Sequence, residues 1–481
     1  MRRKLIDKLL EWKEDTNQKV LMLYGASGVG KTYLALDFAK SFYEQFIYFD
    51  LGKDSSVINY ILESDRKEFE LNIDWYQELA ILDSDPKDMQ SDTLLSDSSK
   101  EILIIFDNTQ QYLMEDIATK DIVLKIHKLK EVFQLLNHSS KYQVIGISNE
   151  LIDEFKPSNY ICNQILHPLD FEEFLLSTGC EWYVETIRVH YKTNNKLPDI
   201  VHNQLLKLFD TYLLIGGMPL AINEYNSIEG SYNISNQHKL IINSYLYEIN
   251  NKSDVDGLKV NQVFWSMDKQ LLKDNRKFQF NMIRKGATSG MYTSAIESIQ
   301  NSFFCHECIK LEQSQNESIF LEQMDYIQSI YKSKENSLLN VKLYHIDVGL
   351  LNTTLDRSET KIDFNNLNRK RELTPLALNK TFQTNKKRAL YENYIATTLA
   401  SNGYPLMYWE SNSLAKIEFV IMKNEEIIPI EVRANDITRS KNFSVFKNQF
   451  MNVNEQIKIS TKNFDYINHV KYVPIYAAFC I

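Results

Sequence analysis

Short apolar runs, unbroken by polar residues, punctuate the first third of the chain. Val20-Leu21-Met22-Leu23-Tyr24, Ile102-Leu103-Ile104-Ile105-Phe106 and Val144-Ile145-Gly146-Ile147 are three of them, and Phe46 to Asp50 is a fourth. Such runs lack the alternation of a half-buried strand, so they predict strands covered on both faces, as in a parallel sheet. Between them the apolar spacing changes to that of helices: Leu5, Leu9, Leu10 and Trp12, then Leu34, Phe38 and Phe42. Strands alternating with helices predict an α/β fold.

Past about residue 165 the pattern changes. Phe171–Leu176 and Asn203–Tyr212 carry helical spacing, and residues 256–350 mix helices with short strands. A helix is predicted over Ala389–Ala400, followed by strands at Leu406–Glu410, Lys416–Met422 and Ile427–Arg433. Residues 82–100 are acidic and serine-rich and read as an exposed connector. Residues 365–376 and 379–388 are polar and basic and read as a flexible linker. No fixed-period repeat is present.

The first apolar run leads into Gly25-Ala26-Ser27-Gly28-Val29-Gly30-Lys31-Thr32, which fits the P-loop pattern G-x-x-x-x-G-K-[ST] at every specified position. Strand, glycine loop and helix follow in the order that pattern requires. The small residues let backbone N–H groups curl around phosphate oxygens at the positive end of a helix. Lys31 is then expected to neutralise the β- and γ-phosphates of ATP, and Thr32 to offer its hydroxyl to Mg²⁺.

The run ending in Asp107 has the Walker B form, an apolar strand closing on an aspartate. Asp107 is expected to hold the Mg²⁺ water shell. The next position, a glutamate in most AAA-type ATPases, is Asn108 here. An amide orients water but cannot take its proton, and loss of a general base costs about 10²–10⁴-fold, so slow hydrolysis is predicted. After the next strand, Ser148-Asn149 occupies the place of a sensor for the γ-phosphate or the attacking water, which assigns Asn149 to the nucleotide site. A turn or helix-capping role for Ser148 fits equally well.

At 481 residues the chain is too long for a single core. It is 44% hydrophobic and 24% charged, with no apolar run long enough to cross a bilayer. The N-terminal Met1-Arg2-Arg3-Lys4 leads into an amphipathic pattern, not an apolar signal segment. Five scattered cysteines argue for a reducing compartment. Together these predict a cytoplasmic protein without a membrane partner. Net charge is −9, yet residues 361–481 hold more Lys and Arg than Asp and Glu. A basic C-terminal piece points to a polyanionic partner such as nucleic acid, or is simply a solvated face.

The chain resembles a bacterial and archaeal group of AAA-family ATPases fused to a C-terminal domain of unknown function with a restriction-endonuclease-like end. The resemblance rests on an ordered series: the P-loop; Ile104–Gln110; His167-Pro168-Leu169-Asp170-Phe171-Glu172-Glu173-Phe174; Tyr212–Pro219 with its Gly216-Gly217-Met218-Pro219; Lys342–Leu351; and Tyr391-Glu392-Asn393-Tyr394. It implies a P-loop ATPase core over 1–165, a helical lid over 166–255, a winged-helix-like module over 256–360, a basic linker over 361–388 and a PD-(D/E)XK-like domain over 389–481. Homo-oligomerisation is an open expectation of the same reading.

Nuclease cores of that type need acidic groups and a lysine around Mg²⁺. Against the family patterns AEVDFV and PIEVK, this chain has Ala415-Lys416-Ile417-Glu418-Phe419-Val420 and Pro429-Ile430-Glu431-Val432-Arg433. Glu418 replaces the aspartate, Glu431 is in place, Arg433 replaces the lysine, and Glu392 could complete the acidic set. Arginine clamps phosphate but does not exchange a proton. A degenerate site, kept for packing or nucleic-acid docking, is the favoured reading; ATP-gated cleavage is the alternative.

Other constellations are weaker. Cys305-His306-Glu307-Cys308 has C-x-x-C spacing without a second pair for zinc, so packing in a helix-to-strand turn is predicted. Asn368–Arg371 and Lys386–Arg388 are basic clusters suited to a phosphate backbone or to solvent. Arg188, Arg276 and Arg284 are candidate arginine fingers. The family's arginine ahead of its PLSF segment is absent, since Tyr160-Ile161-Cys162-Asn163 stands there. The predicted function is thus an ATP-binding switch with slow hydrolysis, with a non-hydrolysing scaffold or an ATP-gated nucleic-acid-binding protein as alternatives.

Overall fold

The computed structural model describes residues 2–15, 19–63, 102–114, 121–139, 141–227, 233–250, 256–311, 340–359, 380–411, 415–424, 426–434, 442–450 and 453–481. The connector at 82–100 and the cluster Asn368–Arg371 lie outside these residues. The chain divides into two units, Arg3–Leu166 and one containing His167–Ile481.

Among the described residues the first unit has five strands: β1 Val20–Tyr24, β2 Gln45–Asp50, β3 Ile102–Asp107, β4 Tyr142–Ser148 and β5 Ile161–Ile165. They form one sheet in the order β2-β3-β4-β1-β5, and every pair is parallel. β1, β3 and β4 are buried along their whole length, which is why their sequences are continuously apolar. Among the described residues, helices α1 Leu5–Glu14, α2 Lys31–Phe42, α3 Ser56–Glu63, α4 Thr109–Met114 and α5 Asp121–Asn137 accompany the sheet. Phe38 of α2 and Phe133 of α5 are fully buried in its core. β5 was not foreseen. It is an edge strand reading Ile-Cys-Asn-Gln-Ile, and its polar residues hide it from any search for apolar runs.

The second unit opens with helices α6 Phe171–Ser177, α7 Glu181–Thr193, α8 Asp199–Ile215, α9 Pro219–Asn226, α10 Ile234–Asn250, α11 Gly257–Leu271 and α12 Ser289–Asn301. Strands β6 Cys305–Lys310 and β7 Val341–His345 and helices α13 Val348–Glu359 and α14 Lys380–Ser401 follow. The chain ends with β8 Met407–Glu410, β9 Lys416–Lys423, β10 Glu426–Val432, α15 Asn442–Lys447, β11 Gln456–Ser460, β12 Asp465–Ile467, β13 Val470–Pro474 and a 3₁₀ turn at Ile475–Cys480. Among the described residues of this unit, eight strands form a mixed sheet in the order β12-β13-β11-β10-β9-β8-β6-β7. β6 and β7, from the 256–360 segment, therefore complete the same sheet as the C-terminal strands.

Two sequence expectations change here. Residues 380–388 are not linker: α14 starts at Lys380, nine residues before the predicted helix. Its first turns are basic, but Lys386 is buried and paired with Asp356. Cys305 and Cys308 lie within strand β6, not in a turn. Strand side chains alternate, so residues three apart point to opposite faces. The two sulfurs thus cannot share a metal, and burial pushes both thiols up, Cys308 to about 12.

Candidate nucleotide-binding site

The loop after β1 needs glycine for conformation. Gly25, Gly28 and Gly30 have φ values of 148°, 80° and 96°, in the region that L side chains rarely adopt. Gly25 is also closely packed: a Cβ there would sit 2.3 Å from the Leu166 carbonyl oxygen. Gly30 is the N-cap of α2, and no side chain caps that helix. The N–H groups of the first turn are the ones a helix leaves unpaired, and they suit an anion. Lys31 is buried, and its Nζ donates to the carbonyls of Gly25 at 2.8 Å and Ala26 at 2.9 Å. Arg3 Nη1 donates to the Val29 carbonyl at 2.9 Å, tying the chain ahead of α1 to the loop.

Thr32 and Asp107 meet, although 75 residues separate them. Thr32 Oγ1 donates to Asp107 Oδ2 at 2.6 Å. The Tyr48 hydroxyl donates to the same oxygen at 2.9 Å, and the Asn108 N–H donates to Oδ1 at 2.7 Å. Burial, and then the Asp107 charge, push the Tyr48 hydroxyl pKa upward, so it stays a donor. A hydroxyl and a buried carboxylate side by side are the hard oxygen ligands that Mg²⁺ takes. The residues present therefore fit a magnesium nucleotide.

Asn108 has φ of 56°. That left-handed position favours asparagine over glutamate. Its Nδ2 donates at 2.8 Å to Oδ1 of Asp50, the last residue of β2. β2 and β3 are in register so that Asp50 lies beside Asp107. At the end of β4, Ser148 is consumed by a turn, donating to the Glu150 carbonyl at 2.7 Å and accepting from its N–H at 3.1 Å. The Asn149 N–H is held by Gln110 Oε1 at 3.2 Å. Cys162, at the place of the absent arginine, has its thiol pushed up to about 12 by burial.

The other motifs belong to the second unit, and they meet at one hub. Leu169 N–H donates to the Gly217 carbonyl at 2.8 Å, and Tyr212 OH donates to the Leu169 carbonyl at 2.7 Å. Buried Asp347 accepts from the N–H groups of Gly217 and Leu350. Asn393 bonds both the N–H and the carbonyl of His345, at 2.7 and 3.0 Å. The rings of Phe171, Phe209, Tyr212 and Tyr394 interlock around them. Gly217 fits only without a side chain, since a Cβ would stand 1.9 Å from the Leu169 carbonyl oxygen. These segments have a packing role.

The carboxylates read as a nuclease remnant also lie in this unit. Glu392 and Glu431 are buried and Glu418 nearly so. Each is engaged. Glu392 pairs with Arg276 and accepts from Tyr344 OH at 3.3 Å. Glu418 Oε2 accepts from the Val432 N–H at 3.2 Å. Glu431 pairs with Arg433 and with Lys458 Nζ at 2.8 Å, and accepts from Asn442 Nδ2 at 3.0 Å. Burial, and then the Glu392 charge, push Glu418 up to about 7. Among the described residues no group of three or more His, Cys, Asp or Glu side chains is arranged to hold a metal ion. Lys458 was not foreseen, and Arg276 was named only as a candidate arginine finger, not as a partner of Glu392. Lys458 sits opposite Glu431 in the parallel β10–β11 pair, which only sheet register reveals. The candidate arginine fingers are each engaged within this unit: Arg188 with Glu172, Arg276 with Glu392, and Arg284 with Tyr292 OH at 2.9 Å.

Residues 387–478 match the family Domain of unknown function (DUF4143). This DUF4143 segment covers most of α14 and strands β8–β13. No match is found among curated protein sequences. Among solved structures the chain is similar to one described as the structure of C. elegans PCH-2, at 15% identity and a TM-score of 0.24. That similarity covers 51% of this chain and 65% of the other, so it spans less than two thirds of that protein. Among the described residues no helix is long and apolar enough to cross a membrane.

Proposed function

We propose that the chain binds ATP with Mg²⁺ at the Gly25–Thr32 loop and acts as a nucleotide-dependent switch with slow hydrolysis. The observation that carries this reading is the bond from Thr32 to Asp107. It joins the loop threonine to the strand-end carboxylate beside a lysine already folded onto the loop. In this reading Lys31, Thr32 and the N–H groups from Gly25 to Gly30 hold the phosphates, and Thr32 and Asp107 hold the metal ion, which shields phosphate charge. Asn149 reaches the γ-phosphate side. Asn108 itself cannot accept a proton, so turnover is slower than with a glutamate at that position.

The buried carboxylates of the second unit are proposed to be a structural charge network and not a cleaving site. Each is engaged by a cation or a hydrogen-bond donor, which supports that reading. Nucleic-acid docking by the C-terminal segment and self-association remain parts of the proposal that salt-dependent retention and sedimentation would test.

The test of the nucleotide site is ATP affinity with Mg²⁺ and with EDTA, for the wild type and Thr32→Val. The wild type is expected to bind more tightly with Mg²⁺, and the variant to lose that difference. Equal Mg²⁺ sensitivity in both would refute the assignment of Thr32.

A further inference from the structure

We infer that Asp50 supplies the proton-accepting carboxylate that position 108 lacks, with Asn108 holding it in place. The inference rests on the proposed ATP site. Three observations lead to it. Asp50 ends β2 directly beside Asp107 in the parallel register, so both carboxylates lie at the C-terminal edge of the sheet. The Asn108 amide points its Nδ2 at Asp50 Oδ1, 2.8 Å away. Asn108 holds this contact from a left-handed backbone, with φ of 56°. Thr32, Asp107, Asn108 and Asp50 thus form a continuous chain of hydrogen bonds from the P-loop to a second carboxylate.

Asp50 differs from Asp107 in what surrounds it. Asp107 is buried and takes three donors from Thr32, Tyr48 and Asn108. Asp50 keeps 17% of its side chain exposed, and its Oδ2 faces Lys53, which is 3.5 Å away and almost fully solvated. Its Oδ1 accepts from Asn108 and from the Gly52 N–H at 3.1 Å. Part of the Asp50 side chain is therefore open to water. In the proposed step, one proton of the attacking water passes to Asp50. The water oxygen bonds to the γ-phosphorus. The bond from that phosphorus to the bridging oxygen breaks, and ADP leaves with the electron pair. Asp50 then releases its proton to solvent. The roles of position 108 are divided: the amide positions, and the neighbouring strand supplies the base.

Asp50→Asn is a close isostere. It still accepts from Asn108 and Gly52 but cannot take a proton. The experiment compares the full-length wild type, Asp50→Asn and Asp50→Glu by ATP turnover at saturation, ATP affinity and thermal melting. The inference expects Asp50→Asn to lower kcat by about 100-fold, within the range for a general base, with affinity and melting temperature unchanged. Asp50→Glu, which keeps a carboxylate, is expected to retain more turnover than Asp50→Asn. An Asp50→Asn rate within twofold of wild type overturns the inference, as does equal loss in both variants. A wild type that binds ATP without measurable turnover also overturns it while leaving the binding site intact. A wild type that does not bind ATP overturns the proposed function itself.

Discussion

Asn108 shows how one residue serves backbone and chemistry together. From the sequence it is only an amide where a glutamate is usual. In the structure its φ of 56° explains why asparagine is there, since a longer side chain in that region carries strain of about 1–2 kcal/mol. Its contact with Asp50 could not be read from the sequence, because 58 residues separate the two. Glu418 makes a second residue-scale case. Folded, it is pushed up to about 7 by burial and by Glu392, against an ordinary value of 4.5. The folded state keeps a proton that the unfolded chain gives up above about 4.5. Its stabilising contribution is therefore complete below that pH and is lost as pH rises toward 7. Glu418→Gln is neutral throughout and can still accept from Val432. Its melting temperature relative to wild type is expected to rise between pH 4.5 and 7 and to level off above. A difference that stays flat over that range would contradict the assigned cause.

At the scale of elements, legibility followed burial. β1, β3 and β4 are buried on both faces and announce themselves as apolar runs. β5 is a polar edge, and β6 alternates through Cys-His-Glu-Cys, so neither stood out. The basic start of α14 has the composition of a solvated linker, whereas Lys386 is buried beside Asp356. The motif series beyond Gln110 was visible as sequence, but its role was not. Its residues lie on α6, α8, β7, α13 and α14 and converge only in three dimensions. Asn393 is the test of that hub. Asn393→Ala leaves the His345 N–H and carbonyl buried without their partner, at about 1–3 kcal/mol for each group. A large drop in unfolding free energy with ATP affinity unchanged is the expected result. Unchanged stability would show that the hub does not depend on this side chain.

For the whole molecule, the P-loop and its strand–helix context were legible from local order alone, because the loop, β1 and α2 are contiguous. The surroundings of the loop were legible only in part: Asp107 closes an apolar strand and was read from the sequence, whereas its meeting with Asp50 and Tyr48 is set by strand register. The net acidic chain ends in a basic segment whose buried charges pair internally, as Lys458 and Arg433 do with Glu431. Part of that positive charge is thus spent inside the fold and is not available to a polyanion. The proposed switch requires nucleotide binding at Lys31. The most direct measurement is calorimetric titration of ATP with Mg²⁺ into the full chain and into Lys31→Ala. One saturable site in the wild type, lost in the variant, is the expected result. No binding by the wild type, or the same affinity in both proteins, would contradict the account.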